Sequence, residues 1–396
     1  MKRYCKQIDI TNRKLIQSAV YECLEGKYTR NDTLEMLSEY SHLSSKYIRG
    51  VLEECGKNAI APIVETVIDG IKEELKQKNL RFTSICYKEK IDSSSRKLRR
   101  IGIQNIKQQL YDYIAVEGIK PFTKYIGEYQ CAAIKGRGQA YGIRAIRRWM
   151  RNLSIRYAGK ADIKKCYPSI PKDKLMEFLH KHIKNDKLLW LIQTLVNTFD
   201  AGLSIGSYLS QFLCNLYLSQ LYHEISENMY KIRKKKNGEK ERVNLIKHVL
   251  FYMDDLLILG TSAKDVHKAM NLIIKKTKEM GLEIKPDWIV FKMVEKRIDD
   301  GTFIDMMGIR IYRNHITIRQ RVFLRIRRTY KKAKKYRNTF RKIPILLARK
   351  CIAYYGIIKN TNSYQLQKKY DIKKTIIECK EVIRNESKIF RTAAAN

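Results

Sequence analysis

What this chain lacks narrows it first. No run of 18 apolar residues occurs in its 396 positions, so no segment reads as a membrane-spanning helix. The start, Met-Lys-Arg-Tyr-Cys-Lys-Gln, has none of the apolar core of a secretory leader, and a soluble chain in the cytoplasm is expected. The nine cysteines stand singly, with no C-x-x-C pair and no Cys/His cluster at zinc spacing. Reduced thiols are therefore expected and structural zinc is not. Acidic residues are scarce: 40 Asp and Glu face 80 Lys and Arg, a net charge of +40. A field of that size attracts polyanions, which points to nucleic acid first and an anionic membrane surface second. The 44% apolar content is ordinary and allows two or three domains or one multi-lobed enzyme.

Residues 1 to 80 carry apolar positions at helical spacing, such as Leu34, Leu37 and Tyr40, then Ile63, Val67, Ile71 and Leu75. Asn31-Asp32-Thr33 and Ser44-Ser45 read as helix starts. A β-type run from Arg81 to Tyr87, the polar Ser93-Ser94-Ser95 and the basic run Arg96 to Ile103 read as a hairpin whose second strand carries cations. Gln130 to Gly142 then holds three glycines interleaved with Lys135 and Arg137. That loop could contact phosphates, although its spacing fits neither a P-loop nor a dinucleotide-binding fingerprint. The helix expected after it is basic on one side, with Arg144, Arg147, Arg148 and Arg151 three and four residues apart.

The stretch His248 to Gly260 sets Asp254 and Asp255 between an aromatic-apolar run and four aliphatics. Two readings are open: an exposed Asp-Asp turn between two strands, or a hairpin tip that presents both acids to a divalent metal. Buried carboxylates need a compensating positive charge. Asp162 sits at the end of another short strand, 92 residues upstream of Asp254. A third carboxylate facing the pair is what two-metal phosphoryl transfer requires, because Mg²⁺ takes one or two protein carboxylates and completes its shell with phosphate oxygens and water.

Asp162 with Tyr167, the segment Gly202 to Tyr217 containing Ser210-Gln211, Tyr252-Met253-Asp254-Asp255, and Phe303 to Gly308 follow one another in the order of the palm motifs and primer-grip hairpin of reverse transcriptases. Over about residues 85 to 315 the chain resembles that family. The resemblance implies an α+β right-hand polymerase fold with fingers, a palm on an antiparallel sheet and a helical thumb. It implies RNA-templated DNA synthesis, a nucleotidyl transfer from deoxynucleoside triphosphates onto a primer assisted by two Mg²⁺, with Mn²⁺ as a substitute. Asp162, Asp254 and Asp255 would be the catalytic carboxylates, with Ile163 beside them among the metal-binding residues. Tyr167 would exclude a ribose 2′-hydroxyl, Ser210 and Gln211 would line the nucleotide pocket, and Arg99 and Arg100 would reach the triphosphate. Gly308 would lie in the primer grip.

The chain also departs from the pattern. Many family members carry a lysine seven residues beyond the glycine of Gly281-Leu282, proposed to protonate the departing pyrophosphate; here that place is Trp288, and Lys285 is the substitute. Ser204-Ile205-Gly206 with Ser210-Gln211, and the segment Tyr354 to Tyr364, are similar to bacterial diversity-generating retroelement enzymes and to the unknown-group enzymes of antiphage defence. That likeness implies a dedicated structured template RNA, a primer and its growing cDNA as partners, and leaves an accessory protein or a second copy open. The alternatives are a template-independent or protein-primed polymerase of the same fold, and a non-catalytic, maturase-like RNA-binding protein.

Residues 228 to 243 read as a basic hairpin inserted in the palm with Asn237-Gly238 at its turn. From Ile309 to Lys350 there are sixteen Lys and Arg and no Asp or Glu. Val322, Ile326, Tyr330 and Ala333 make an apolar stripe, which leaves Arg321, Arg325, Arg328, Lys331 and Lys335 to track a template-primer backbone together with Lys135, Arg137, Arg144, Arg147 and Arg148. No four-carboxylate ribonuclease H pattern occupies residues 351 to 396, and Arg391-Thr-Ala-Ala-Ala-Asn is expected to fray. The expected organisation is a helical N-terminal extension (1 to 80), fingers (81 to 160), palm (161 to 315) and a basic thumb with tail (316 to 396).

Overall fold

The computed structural model describes residues 3–91, 98–293, 302–340 and 342–392. Four helices open the chain: α1 (Arg13–Leu24), α2 (Asn31–Ser41), α3 (Ser45–Cys55) and α4 (Ala61–Gln77). Ser44 caps α3 by accepting a bond from the Tyr47 amide. Asp32 behaves differently from the expected cap. It pairs with Arg30 and accepts the Ile106 amide at 3.0 Å, which ties α2 to the start of a later helix.

A two-stranded ribbon follows, β1 (Cys86–Ile91) and β2 (Leu98–Ile103), with Cys86 opposite Ile103. Its first strand starts at Cys86 rather than at Arg81, and the Ser93-Ser94-Ser95 turn with Arg96 and Lys97 lies outside the described residues. Next come α5 (Ile106–Ile119), a 3₁₀ turn at Lys120–Tyr125, β3 (Gln130–Cys131), α6 (Gln139–Met150), β4 (Tyr157–Asp162), α7 (Cys166–Ser169), α8 (Lys172–His182), α9 (Asp186–Asn197) and α10 (Tyr208–His223). The basic insertion is the hairpin β5 (Tyr230–Lys234) and β6 (Lys240–Asn244). A second hairpin, β7 (His248–Tyr252) and β8 (Asp255–Gly260), leads to α11 (Ala263–Glu279), β9 (Ile289–Lys292), the short strands β10 (Ile304–Met306), β11 (Ile309–Ile311) and β12 (Ile316–Ile318), and the helices α12 (Gln320–Phe340), α13 (Ile345–Ile358), α14 (Tyr364–Lys369) and α15 (Ile372–Thr392). Of the tail expected to fray, Arg391 and Thr392 end α15 and residues 393–396 lie outside the described set.

The central sheet runs β3-β7-β8-β4-β9. All its pairings are antiparallel except that of β3 with β7, two strands joined not by a hairpin but by the long segment from α6 to β6. The α+β class is as expected; the parallel edge strand is the departure from a purely antiparallel palm. Strand alternation divides the interior. Val249, Phe251, Leu256 and Ile258 face a core shared with α1 to α5 and α8 to α11, whereas Leu250, Leu257, Leu259 and Ala158 face α6 and the strands β10 to β12. Both faces of β8 are covered, which explains its unbroken apolar run. The C-terminal helices have their own core, where Ile326, Tyr330 and Ala333 of α12 meet Ala348 and Cys351, and the Tyr330 hydroxyl donates to the Cys351 carbonyl at 2.7 Å. Among the described residues no helix is long and apolar enough to cross a membrane.

The β1–β2 ribbon meets the rest of the molecule through backbone. The Gly102 amide donates to the Ile205 carbonyl at 2.9 Å, and Gly206 has φ +116°, where a Cβ would lie 2.5 Å from the Gly102 carbonyl oxygen. Only glycine fits there. Gly206→Ala should therefore cost about 1–3 kcal/mol of stability and loosen the ribbon, read as a lower denaturant midpoint and faster amide exchange at Gly102.

Candidate active site

Sheet register brings the expected carboxylates together. Asp162, the last residue of β4, stands opposite Asp255, the first of β8. The β7–β8 hairpin turns through Met253 and Asp254, with Met253 at φ +55°, a strained value for a residue with a long side chain. That strain is held from three sides. The Met253 amide donates to the Cys131 carbonyl at 3.3 Å, its sulfur accepts the Asn215 side-chain amide at 3.4 Å, and the Ile163 amide donates to the Asp254 carbonyl at 3.0 Å. Asp254 and Asp255 are partly buried beside Asp162, which is not the exposed Asp-Asp turn of the first reading.

Three acids in so little space repel, and protons and a lysine compensate. Burial pushes the Asp255 carboxyl well above the ordinary range, and its hydrogen bond with Asp162 and that neighbour's charge add to the shift. Burial also acts to raise Asp162, but the bond from Asp255 and the Lys285 ammonium outweigh it and hold its carboxyl low. Burial raises Asp254, and the Asp162 charge adds, while the positive charges of Lys285 and Arg99 work against the shift. Lys285 Nζ sits 2.5 Å from Asp162 Oδ2, and its amide donates to the Asp162 carbonyl at 2.9 Å. A short bridge between Ile163 and Ile284 sets this alignment. Beneath the site, Lys160 donates to the Asp305 carbonyl at 2.7 Å.

The donor set suits a hard divalent cation: few carboxylates and all-oxygen ligands. Among the described residues no three His, Cys, Asp or Glu side chains form a ready-made metal cage.

Several other expected residues gather here. Tyr167, on α7, is raised in pKa by burial and feels the charge of Asp254; its carbonyl accepts the Leu203 amide at 2.9 Å. Gln211 is half-buried on α10. Ser210, on the same helix, is fully buried and its Oγ has no hydrogen-bond partner. Adjacent strand residues point to opposite faces, and the ribbon arginines separate accordingly. Arg99 acts on Asp254, whereas Arg100 binds Asp200 at 2.7 Å and covers the Tyr87 ring at 3.8 Å. Both members of that ion pair are more than half exposed.

The remaining cations lie outside this cluster. Arg137 braces its own loop by donating to the Gly127 carbonyl at 2.7 Å, and Lys135 is exposed. Arg144 and Arg147 line a cleft of about 260 Å³ with Lys359 to Asn362, while Arg148 covers the Tyr129 ring. Gly308 follows Met307 in the β10–β11 turn, both at positive φ, and its carbonyl accepts the Arg319 amide. On α12, Arg321, Arg328, Lys331 and Lys335 are exposed and Arg325 is half-buried.

Sequence reasoning missed three supporting residues. Asp112, fully buried on α5, accepts the Ser207 hydroxyl at 2.7 Å and the Leu209 amide at 3.4 Å, which fixes the start of α10; burial pushes its carboxyl up to about 6. Asn215 links α10 to the Ala132 carbonyl and to Met253. Gln130 donates to the Asn215 carbonyl and accepts from Ser219. Each is a polar residue inside an apolar run, and that was the available signal.

Residues 88–344, more than half of the chain, match the family model described as Reverse transcriptase (RNA-dependent DNA polymerase). The chain is 29% identical over 150 residues to an uncharacterized 91 kDa protein in the cob intron of Schizosaccharomyces pombe, a match covering 33% of this chain and 19% of that protein. Among solved structures it is similar to apo telomerase from Candida tropicalis truncated from its C-terminal domain (13% identity, TM-score 0.42, 60% of this chain and 55% of that one). It is also similar to telomerase from Candida albicans with a fragment of telomeric RNA (12% identity, TM-score 0.41, 79% and 62%). The chain spans less than two thirds of each of these relatives.

The raised Asp255 carboxyl makes stability depend on pH when divalent cations are absent. Its folded value lies above its unfolded one, so its contribution is full below the ordinary range near ~4 and is lost as pH rises through the raised value. Asp162, held low, acts in the opposite sense, and only at acid pH. In EDTA, Asp255→Asn should remove a slope of at most about 1.4 kcal/mol per pH unit between weakly acidic and neutral pH. Paired melts across pH check this, and parallel curves for variant and parent would refute it.

Proposed function

Because the chain belongs to the reverse transcriptase family, we propose that it copies an RNA template into DNA by adding deoxynucleotides to a primer 3′-hydroxyl, with the carboxylates of Asp162 and Asp254 as the metal-holding pair. The observation that carries this reading is the register that sets Asp162 against Asp255 and next to the Asp254 turn, three acids from two neighbouring strands at one sheet end. Two Mg²⁺ bound there would polarise the attacking hydroxyl and neutralise the leaving pyrophosphate. Asp162 would ligate once its partner Lys285 is released, the backbone at Ile163 would complete the edge of the site, and Asp255 would hold Asp162 in place. Tyr167 bounds the space beside Asp254 and would exclude a ribose 2′-hydroxyl. Arg99 would meet the triphosphate. Lys285, already beside the carboxylates, would be the group able to deliver a proton to the departing pyrophosphate.

Template RNA, primer and growing cDNA would lie along the exposed cations of α12 and of the ribbon, since each neutralised phosphate releases a counterion. The likeness of Ser204 to Gln211 and of Tyr354 to Tyr364 to retroelement enzymes supports a dedicated structured RNA, in diversification or antiphage defence. Nine unpaired thiols suit a reducing cytoplasm.

Asp254→Asn and Asp162→Asn should abolish primer extension and leave RNA binding at the parent's affinity, measured by gel extension and fluorescence anisotropy; extension retained by either would remove that residue from the site. Tyr167→Ala should raise incorporation of ribonucleotides relative to deoxynucleotides. A ratio equal to the parent's would end the exclusion role.

A further inference from the structure

The β5–β6 ribbon takes no part in the carboxylate site. Among the described residues its strands pair only with each other. Its base is fixed by Lys231 Nζ on both Asp265 oxygens at 2.6 and 2.7 Å, by Arg242 on the Glu227 carbonyl, and by the Leu245 amide on the Met229 carbonyl at 2.9 Å. Beyond that base it projects, and the Lys235 amide and Glu239 carbonyl close its tip at 2.8 Å.

Its register sorts the charges by face. Lys231 stands opposite Val243 and Arg233 opposite Glu241, and the Lys235–Glu239 ion pair at 3.3 Å continues the same side. Both carboxylates of the ribbon therefore lie on that side. The other side sets Tyr230, Ile232 and Lys234 opposite Asn244, Arg242 and Lys240. It bears three cations and no acid, and among the described residues Lys234 and Lys240 make no ion pair. Two like charges directly across a ladder destabilise it unless an anion intervenes. The same face leaves Tyr230 40% and Ile232 57% exposed, with the Arg242 guanidinium 3.6 Å over the Tyr230 ring. Unneutralised cations beside an exposed ring and an aliphatic side chain match the outer edge of a duplex, where phosphates alternate with less polar sugars.

We infer that this face binds the phosphodiester backbone of a nucleic-acid duplex outside the carboxylate site, Lys234 and Lys240 taking phosphates and the Tyr230–Arg242 stack lying against the sugar edge. The two strands have the width of a ribbon that enters a B-form major groove, whereas the A-form major groove is too narrow and would be met across its backbone. RNA, DNA and hybrid duplexes share the chemistry, so each is an arm of the test.

The test measures anisotropy of short RNA, DNA and RNA–DNA duplexes with the full chain across salt concentrations. It compares Lys234→Gln/Lys240→Gln with Arg233→Gln/Lys235→Gln on the carboxylate-bearing face. The first pair should lower the slope of log affinity against log salt by about 1.4–1.8 for at least one duplex, keep the parent's melting temperature, and regain the slope as Lys234→Arg/Lys240→Arg. The second pair should change the slope far less. Equal losses from both pairs, or no loss on any duplex, would overturn the inference. Weaker binding of polyglutamate with unchanged duplex slopes would assign the face to an acidic polypeptide, which also overturns it. Because binding is read without synthesis, failure of the parent to extend a primer would count against polymerisation and not against this face.

Discussion

The crowding of three carboxylates at one end of the sheet is the constraint on which the rest depends. Asp162 and Asp255 are register partners, so the backbone ladder fixes their Cα atoms side by side. The molecule answers with an Asp255 carboxyl pushed well above the ordinary range, with Lys285 held on Asp162, and with Lys160 bound to the Asp305 carbonyl. Like charges forced together are stable only where something positive is bound or expected. The lysine contact and the closed carboxyl geometry are two sides of one electrostatic solution, and a divalent cation would be the other.

The scaffold around that cluster is stiff where it must be. Met253 accepts a strained backbone because Cys131, Asn215 and the Asp254–Ile163 bond determine it from three directions. Asn215 in turn is aligned by Gln130, and α10 is aligned at its start by the buried Asp112. The bonds of Gln130 and Asn215 together tie β3, α10 and the hairpin into one arrangement. The close approach of Gly102 and Gly206 sets the β1–β2 ribbon over the same region, which brings Arg99 within electrostatic reach of Asp254.

Charge elsewhere follows a second logic. The surplus of basic residues is not spread evenly: α12 exposes one sign along its outer side, and the β5–β6 ribbon segregates its two carboxylates to a single face. Some cations are already engaged within the molecule: Arg137 holds the Gly127 carbonyl in a part-buried contact, and Arg100 pairs with Asp200 at the surface. Net charge predicts a polyanionic partner but not which cations meet it.

Helix positions, the Ile326, Tyr330 and Ala333 stripe, both palm hairpins and the carboxylate trio were legible from the sequence, because periodicity and apolar flanks are local properties of the chain. The order of the motifs also fixed the family, since it needs only spacing. What the linear reading could not reach was whatever depends on which side of an element meets which neighbour. Ser210 and Gln211 are adjacent in sequence, yet helical rotation buries one fully and leaves the other half-exposed. Arg99 and Arg100 part because a strand alternates its faces, and Lys285 meets Asp162 because a bridge between their neighbours Ile163 and Ile284, 121 residues apart in sequence, sets the alignment. The sequence by itself determined which residue types could make the site and how far apart along the chain they lie; only the tertiary structure decided which are turned inward, because orientation is set by long-range pairing and not by spacing.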